Sequence, residues 1–311
     1  MIAILMAAYN GEKYLEEQLD SIKRQTFQDW HLIISDDSST DRTLEIARKF
    51  QKEVTQQVTI LENQVPKGSA KNNFFHLLKN VEESYIMFAD QDDVWKEDKI
   101  EKTLSCMKKL EKKVTGHVPI LVHTDLTVVD ENMGIIADSF FQYAKVKKKV
   151  DLATLIIQNN VTGCTIMMNR ELYEGICQVK DLKKVIMHDY WAALYAMVYG
   201  VVGVVDQSTM YYRQHESNSV GAKASGNPIY LWKHFWNGYQ EYQKSMKRSM
   251  EQIGYFCECY QNKVWNGEKR KLLSGYADLC HQSKAKRILF YTRYRVLKIG
   301  IIRRIMQYLW G

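Results

Sequence analysis

Residues 85–95 read YIMFADQDDVW, five apolar residues followed by Asp90, Gln91, Asp92 and Asp93. The apolar run is too short for a helix and does not alternate, which is the pattern of a strand buried on both faces of a parallel sheet. In extended chain Asp90 and Asp92 project to the same side, so two carboxylates can face one point at the strand's carboxyl end. Ligands of wound α/β sheets bind beyond those ends. Residues 31–41, HLIISDDSSTD, repeat the arrangement: an apolar run that ends in Asp36 and Asp37.

Outward from these two tips, the first half of the chain alternates short apolar runs with helical periodicity. Strands are expected at Ile2–Ala7, His31–Ser35, Val58–Leu61, Tyr85–Ala89 and Ile120–Thr124. Between them Leu15, Leu19 and Ile22, then Leu44, Ala47 and Phe50, then Phe74, Leu77, Leu78 and Val81, then Ile100, Leu104 and Met107 recur at helical spacing. Thr40 followed by Asp41 reads as a helix start, a hydroxyl cap with an acid in the first turn. This order predicts an α/β fold with a mostly parallel sheet. Residues 151–220 continue as mixed α/β, ending in the strand-like Val201–Tyr212, and from Asn227 the chain turns helical, aromatic and basic. The expected division is therefore residues 1–221 and a helical C-terminal region, 222–311.

The 311 residues are 46% apolar and 25% charged with 3 prolines, which excludes a disordered, collagenous or disulfide-scaffold protein. Six cysteines without paired metal spacing read as free, mostly buried thiols of a reducing compartment. The net charge of +7 is unevenly spread: residues 281–311 hold eight Lys and Arg and no acid, which leaves residues 1–280 at −1. A near-neutral body with a basic tail is not the footprint of a nucleic-acid binder. The N-terminus lacks a signal peptide's basic region. The apolar, uncharged run at 190–205, 16 residues, is shorter than the roughly 20 a spanning helix needs. It reads as a buried helix followed by a strand, and any membrane contact is expected to be peripheral.

Alone, an Asp-x-Asp is a hydrated acidic turn; two acidic clusters at the tips of one sheet favour a site. Hard divalent cations take oxygen ligands, and Mg²⁺ commonly joins one or two carboxylates to a substrate's phosphates. Neither a G-x-G-x-x-G after the first strand nor a G-x-x-x-x-G-K-[ST] occurs. A metal-held nucleotide diphosphate is thereby favoured over a dinucleotide or an NTPase site.

Taken together, Ala8-Tyr9-Asn10-Gly11, Gln25-Thr26-Phe27, SDDSSTDRT at 35–43, KGSAKNNF at 67–74, FADQDDVW at 88–95, MHDYW at 187–191 and YRQHESNSVG at 212–221 resemble the family 2 glycosyltransferases of the GT-A fold, most closely the bacterial rhamnosyltransferase-like members. The resemblance covers residues 1–221 and not the tail. It implies inverting transfer of a sugar from a nucleotide-diphosphate donor, dTDP-L-rhamnose or a UDP-sugar, to an acceptor hydroxyl. It further implies that Asp36 and Asp37 bind the donor's base or ribose, that Ala8 and Tyr9 wall the pocket, and that residues 67–73 lie along the donor with Lys71 reaching a phosphate. Asp90 and Asp92 correspond to the family's Asp-x-Asp, with Asp92 favoured as direct ligand of Mg²⁺ or Mn²⁺, and His215 to a histidine that completes the metal or diphosphate site. Asp189 corresponds to the catalytic base, preceded here by His188 as in the rhamnosyltransferase-like subgroup, and Arg213 would steady the leaving group. Trp95 and Trp191 are expected to pack, and residues 160–165 either face the acceptor or form a glycine turn.

The tail, residues 284–310, interleaves aliphatic, aromatic and basic residues, as interfacial helices do. Two readings stand: a peripheral anchor on an anionic membrane surface at the inner face of a bacterial cell, serving a lipid-linked glycan acceptor, or a helical region packed on the body or on a second subunit of a homo-oligomer. A nucleotidyltransferase and a non-catalytic membrane-associated binding protein are the competing functions.

Overall fold

The computed structural model describes residues 1–215, 228–263 and 266–311, with side chains in the second span from residue 238. The strands are β1 Ile2–Ala8, β2 Trp30–Asp36, β3 Gln57–Glu62, β4 Tyr85–Asp90, β5 Val94–Trp95, β6 Ile120–Val129, β7 Ile135–Ala137, β8 Met167–Asn169 and β9 Val201–Arg213. The helices are α1 Leu15–Lys23, α2 Thr43–Glu53, α3 Ala70–Leu77, α4 Lys99–Glu111, α5 Phe140–Tyr143, α6 Leu152–Leu155, α7 Arg170–Ile176, α8 His188–Tyr199, α9 Pro228–Cys259, α10 Gly267–Asp278, α11 Lys284–Tyr294 and α12 Ile301–Trp310. All the expected strands and the first four helices are present.

One sheet runs β3-β2-β1-β4-β8-β6-β9-β5, with β7 beside β6. The ladders β3-β2-β1-β4 are parallel, and β6 pairs in parallel with β9. The three-residue β8 lies antiparallel between β4 and β6, too short for periodicity to reveal. Alternation along β1 divides the core: Ala3 and Leu5 face one apolar cluster, and Ile2, Ile4 and Met6 face the other. Because both sides of these strands are covered, their sequences are continuously apolar.

Register brings the acidic tips together. Ala8 pairs with Asp36 across β1–β2, and Ala7 with Asp90 across β1–β4, so both clusters leave the sheet at the same edge. The two-residue β5 pairs with Met210 and Tyr211 of β9 and fixes the turn between Asp90 and Val94 against that strand.

Two local expectations change. Helix α2 starts at Thr43, where the Asp41 carboxylate accepts the Thr43 N–H at 3.0 Å, while the Thr40 hydroxyl turns toward Asn10. The acid, not the hydroxyl, serves that helix end. Of the six free cysteines only Cys164 is fully buried; the others are half-buried.

The C-terminal helices are built into the body. Met250, Ile253 and Phe256 of α9, Leu273 and Tyr276 of α10, Tyr291 of α11 and Val296 belong to the same cluster as Leu5 and Phe88. The expected boundary at 221/222 and the end of the 212–221 motif fall outside the described residues. The tail is two helices, broken between Arg295, at φ 53°, and Gly300, at φ 97°. Among the described residues no helix is long and apolar enough to cross a membrane.

Candidate active site

A cleft of about 1980 Å³ opens at the carboxyl edge of the sheet. Ala8 and Tyr9 from the end of β1, Asp37 from the end of β2, and Asp90 and Asp92 from the β4–β5 turn line it, with His215 after β9 and Asp189 at the start of α8. Residues 188 and 189 are separated by about a hundred positions from the Asp-x-Asp, so it is the sheet that joins them.

Asp92 and His215 form a pair, Nε2 to Oδ2 2.8 Å, and the imidazole stacks on Tyr14 with ring centroids 4.9 Å apart. Burial and the neighbouring carboxylates of Asp92 and Asp189 push Asp90 above the usual carboxylate range. Three acids thus share a partly dehydrated space that favours a countercharge. Carboxylate oxygens with one imidazole suit Mg²⁺ or Mn²⁺, and Asp90, Asp92 and His215 are the residues that could hold one. Asp90, Asp93 and Cys164 also bring ligand atoms within 4.8 Å of one another. That group lies deeper and already has a cation: the fully buried Lys99 donates to the Cys164 carbonyl at 2.9 Å, and its charge is felt by Asp90 and Asp93.

Asp189 lines the same cleft and is close enough to Asp90 for its charge to be felt there. Its carboxylate accepts the N–H of Tyr190 and that of Gly163, yet burial outweighs both and pushes it up to about 7. A carboxylate poised there suits a general base near neutral pH. His188, beside it, is buried and neutral, pushed down to about 3, with its ring 4.3 Å from Phe74 and 4.8 Å from Phe88. Neither of its ring nitrogens has a partner among the described residues.

The other expected residues divide. Asp37 lines the cleft, but its oxygens accept the N–H groups of Lys67 and Gly68 and so hold the 66–69 loop along the cleft wall. Asp36 is 1% exposed, turns inward to accept the Ser39 N–H, and does not reach the cleft. The ammonium of Lys71 donates to the carbonyls of Leu182 and Val185, 2.6 Å each, because its side of α3 faces that segment, and Lys71 is not among the residues that line the cleft. Arg213 is likewise committed. Its guanidinium donates to the Asp92 and Glu131 carbonyls at 2.9 Å, pairs with Glu17 and covers the Tyr14 ring, so it braces the Asp-x-Asp turn and is not among the residues that line the cleft. Trp95 and Trp191 are core residues, as expected, and residues 160–163 do line the cleft.

Several contributors are invisible to motif reading. Gln91, the middle of the Asp-x-Asp, clamps the Tyr9 backbone, accepting its N–H at 2.8 Å and donating to its carbonyl at 2.9 Å. A Cβ on Gly11 would meet the Gln91 amide at 2.5 Å, which explains the glycine. Gly163 plays the same part for the base: a Cβ there would lie 2.7 Å from His188 Nε2. Tyr14, just before α1, Glu17 on α1 and Lys99 at the start of α4 belong to none of the motifs and carried no signal in the sequence.

A mostly parallel sheet with acidic strand tips, and a carboxylate pair with an imidazole and a further raised carboxylate in one cleft, define a glycosyltransferase of the GT-A fold that acts on nucleotide sugars. The chain belongs to glycosyl transferase family 2, whose family model matches residues 3–177. It is 32% identical over 237 residues to the dTDP-rhamnosyl transferase RfbG of Shigella flexneri, covering 71% of this chain and 75% of that protein. It is 30% identical over 175 residues to the putative teichuronic acid biosynthesis glycosyltransferase TuaG of Bacillus subtilis, covering 55% and 63%. In fold it is similar to S. aureus TarS 1-349 in complex with UDP-GlcNAc, at a TM-score of 0.59 and 16% identity over 95% of this chain and 88% of that one. It is also similar to the mannosyltransferase PcManGT of Pyrobaculum calidifontis in complex with GDP-Man and Mn²⁺, at 0.53 and 13% over 94% and 73%. The nucleotidyltransferase and non-catalytic alternatives fall with the family membership.

Proposed function

We propose that the protein transfers L-rhamnose from dTDP-L-rhamnose to a hydroxyl of a lipid-linked cell-wall or capsular glycan, with inversion at the anomeric carbon and with Mg²⁺ or Mn²⁺ in the site. The observation that carries the reaction is the presence of Asp189 and of the Asp92–His215 pair in the lining of one cleft. The similarity to RfbG supports the sugar and its nucleotide. The catalytic unit is residues 1–221; the helical region 222–311 completes its core.

In this reading Ala8, Tyr9 and Asp37 bound the nucleoside end of the donor. Asp90, Asp92 and His215 would hold the cation, which when bound supplies positive charge against the diphosphate. Asp189 takes the proton of the acceptor hydroxyl as its oxygen bonds to the anomeric carbon and the bond to the diphosphate breaks. A positioned base contributes on the order of 10²- to 10⁴-fold to such a step. Arg213 acts by holding the turn that presents Asp92. A water-soluble donor and a lipid-linked acceptor meet at the cytoplasmic face of the membrane, the location this reading assigns.

A thermal-shift panel of dTDP-rhamnose, UDP-glucose, UDP-GlcNAc and GDP-mannose with Mn²⁺ tests the donor, because a ligand at a hundred times its Kd stabilises the fold by about 2.7 kcal/mol. Stabilisation by dTDP-rhamnose alone is expected; an equal response to a UDP-sugar with none to dTDP-rhamnose overturns the sugar assignment. Transfer by Asp92→Ala at the wild-type rate would overturn the cation site.

A further inference from the structure

Helix α12 is folded with its polarity reversed. Ile301, Ile302, Ile305 and Leu309, spaced to share one side of the helix, are 77%, 51%, 53% and 51% exposed, whereas Gln307 on the opposite side is completely buried. Gln307 fixes that orientation: its Nε2 donates to the Val296 carbonyl at 2.7 Å, and its Oε1 accepts the Lys298 N–H at 2.9 Å. The rotation of the helix is therefore set by hydrogen bonds that turn its aliphatic side outward. Beside it, Lys284 at the start of α11 donates to the Leu309 carbonyl at 2.6 Å, and Leu289 of α11 is 68% exposed.

The charge of the hairpin itself has one sign. Lys284, Lys286, Arg293, Arg295 and Arg304 are exposed, and residues 281–311 contain no Asp or Glu. A second copy of the same surface would bring like charges together, whereas an anionic lipid surface would complement them, at about 1 kcal/mol for each basic side chain near it. The hairpin is also fastened to the cleft: the Ile299 N–H donates to Gln158 Oε1 at 2.9 Å and the Arg303 guanidinium to the Ala144 carbonyl at 3.4 Å. The stretch between those two anchors, and the residues just after it, supply Val146, Asn159 and Asn160 to the lining of the cleft that also holds Asp189.

We infer that the outward face of α12, with the basic residues of α11 around it, docks the protein on an anionic lipid bilayer, with Ile301, Ile302, Ile305 and Leu309 entering the interface. The attachment through residues 144–158 then holds the acceptor side of the cleft next to the bilayer. This inference rests on the lipid-linked acceptor of the proposed function only for its purpose; the docking itself needs neither donor nor acceptor.

The test is flotation of the full chain, without nucleotide sugar, on vesicles of phosphatidylglycerol and phosphatidylcholine, and on phosphatidylcholine alone. Wild type should bind the anionic vesicles, bind neutral ones far less, and release with salt. I301S/I305S should lose about tenfold or more of that binding while keeping the wild-type melting temperature and thermal shift with its donor, so that misfolding is not the cause. Equal flotation of variant and wild type overturns the inference. So does a wild-type dimer in solution that I301S/I305S converts to monomer without changing flotation. A failed donor panel with intact flotation would sink the rhamnose reading and leave the docking face standing.

Discussion

The strand tips and the C-terminal hairpin break the rule of burial in opposite directions. In the cleft at the tips, carboxylates are withdrawn from water: burial lifts Asp189, at the start of α8, to about 7, and Asp90 is raised by burial and by its acidic neighbours. On α12, aliphatic side chains are left in water while a glutamine is enclosed. In each place the fold holds groups where they are less stable than they could be, and a site is the physical account of both. The difference lies in what the exposed or strained group awaits: a cation and a hydroxyl proton in the cleft, an apolar phase on the hairpin.

The largest expected effect comes from removing the base. Asp189→Asn should lower kcat by about 10²- to 10⁴-fold while leaving donor-induced thermal stabilisation in place. Wild-type kcat should rise with pH through about 7, since the base must be deprotonated and burial has raised it to that value. Stability moves the other way. A folded-state value above the unfolded carboxylate's means that the protonated form's contribution is full below about 4 and is lost as pH rises through about 7. At pH 8 Asp189→Asn should therefore melt higher than wild type by about 2–4 °C, read by calorimetry. A variant that is both inactive and less stable at pH 8 would mean that Asp189 is a structural acid and would erase half of the contrast.

Gly163→Ala probes the support of that base. The new Cβ would meet His188 Nε2 at 2.7 Å, and that ring has Phe74 and Phe88 against it. Overpacking of this kind costs about 1–3 kcal/mol. Because the Gly163 N–H also bonds to Asp189, kcat should fall about tenfold with little change in donor binding. A loss of stability with unchanged kcat would separate the glycine from the chemistry.

Much of this was legible in the chain, for reasons that can be stated. Strands β1, β2 and β4 are buried on both faces, so their continuous apolar runs were unambiguous, and a strand's carboxyl end is where a wound sheet binds its ligand. Ala8, Tyr9, Asp37, Asp90, Asp92, Asp189 and His215 accordingly meet in one cleft. Lys71, Arg213 and Asp36 do not line it, since a motif fixes where a backbone runs and not which partner a long or buried side chain finds. The carbonyls of Leu182 and Val185, which take Lys71, lie more than a hundred residues away in sequence. Arg213 spans three segments that only the sheet assembles. For the tail, composition named both possibilities but could not distribute them. The turn from Arg295 to Gly300 does so, sending Tyr291 and Val296 into the core and the isoleucines of α12 outward.

The smallest expected effect sharpens the comparison most, because it is nearly zero where apolar residues usually matter. Ile305→Ser removes an aliphatic side chain that is 53% exposed, so urea unfolding should register no more than about 0.5 kcal/mol. Gln307→Leu, two positions on, replaces a polar residue by an apolar one of similar size and should cost about 1–3 kcal/mol, because the Val296 carbonyl and the Lys298 N–H lose their partner inside the protein. On an ordinary amphipathic helix the order would be the reverse, with the isoleucine costly and the glutamine neutral. If Ile305→Ser proved the more damaging of the two, the aliphatic face of α12 would be packed against protein in solution, and the hairpin would follow the same burial rule as the rest of the core. If the order holds, the stability of α12 comes from its polar side. Its isoleucines then contribute nothing to folding, and their aliphatic character has to be explained by what they meet outside the chain.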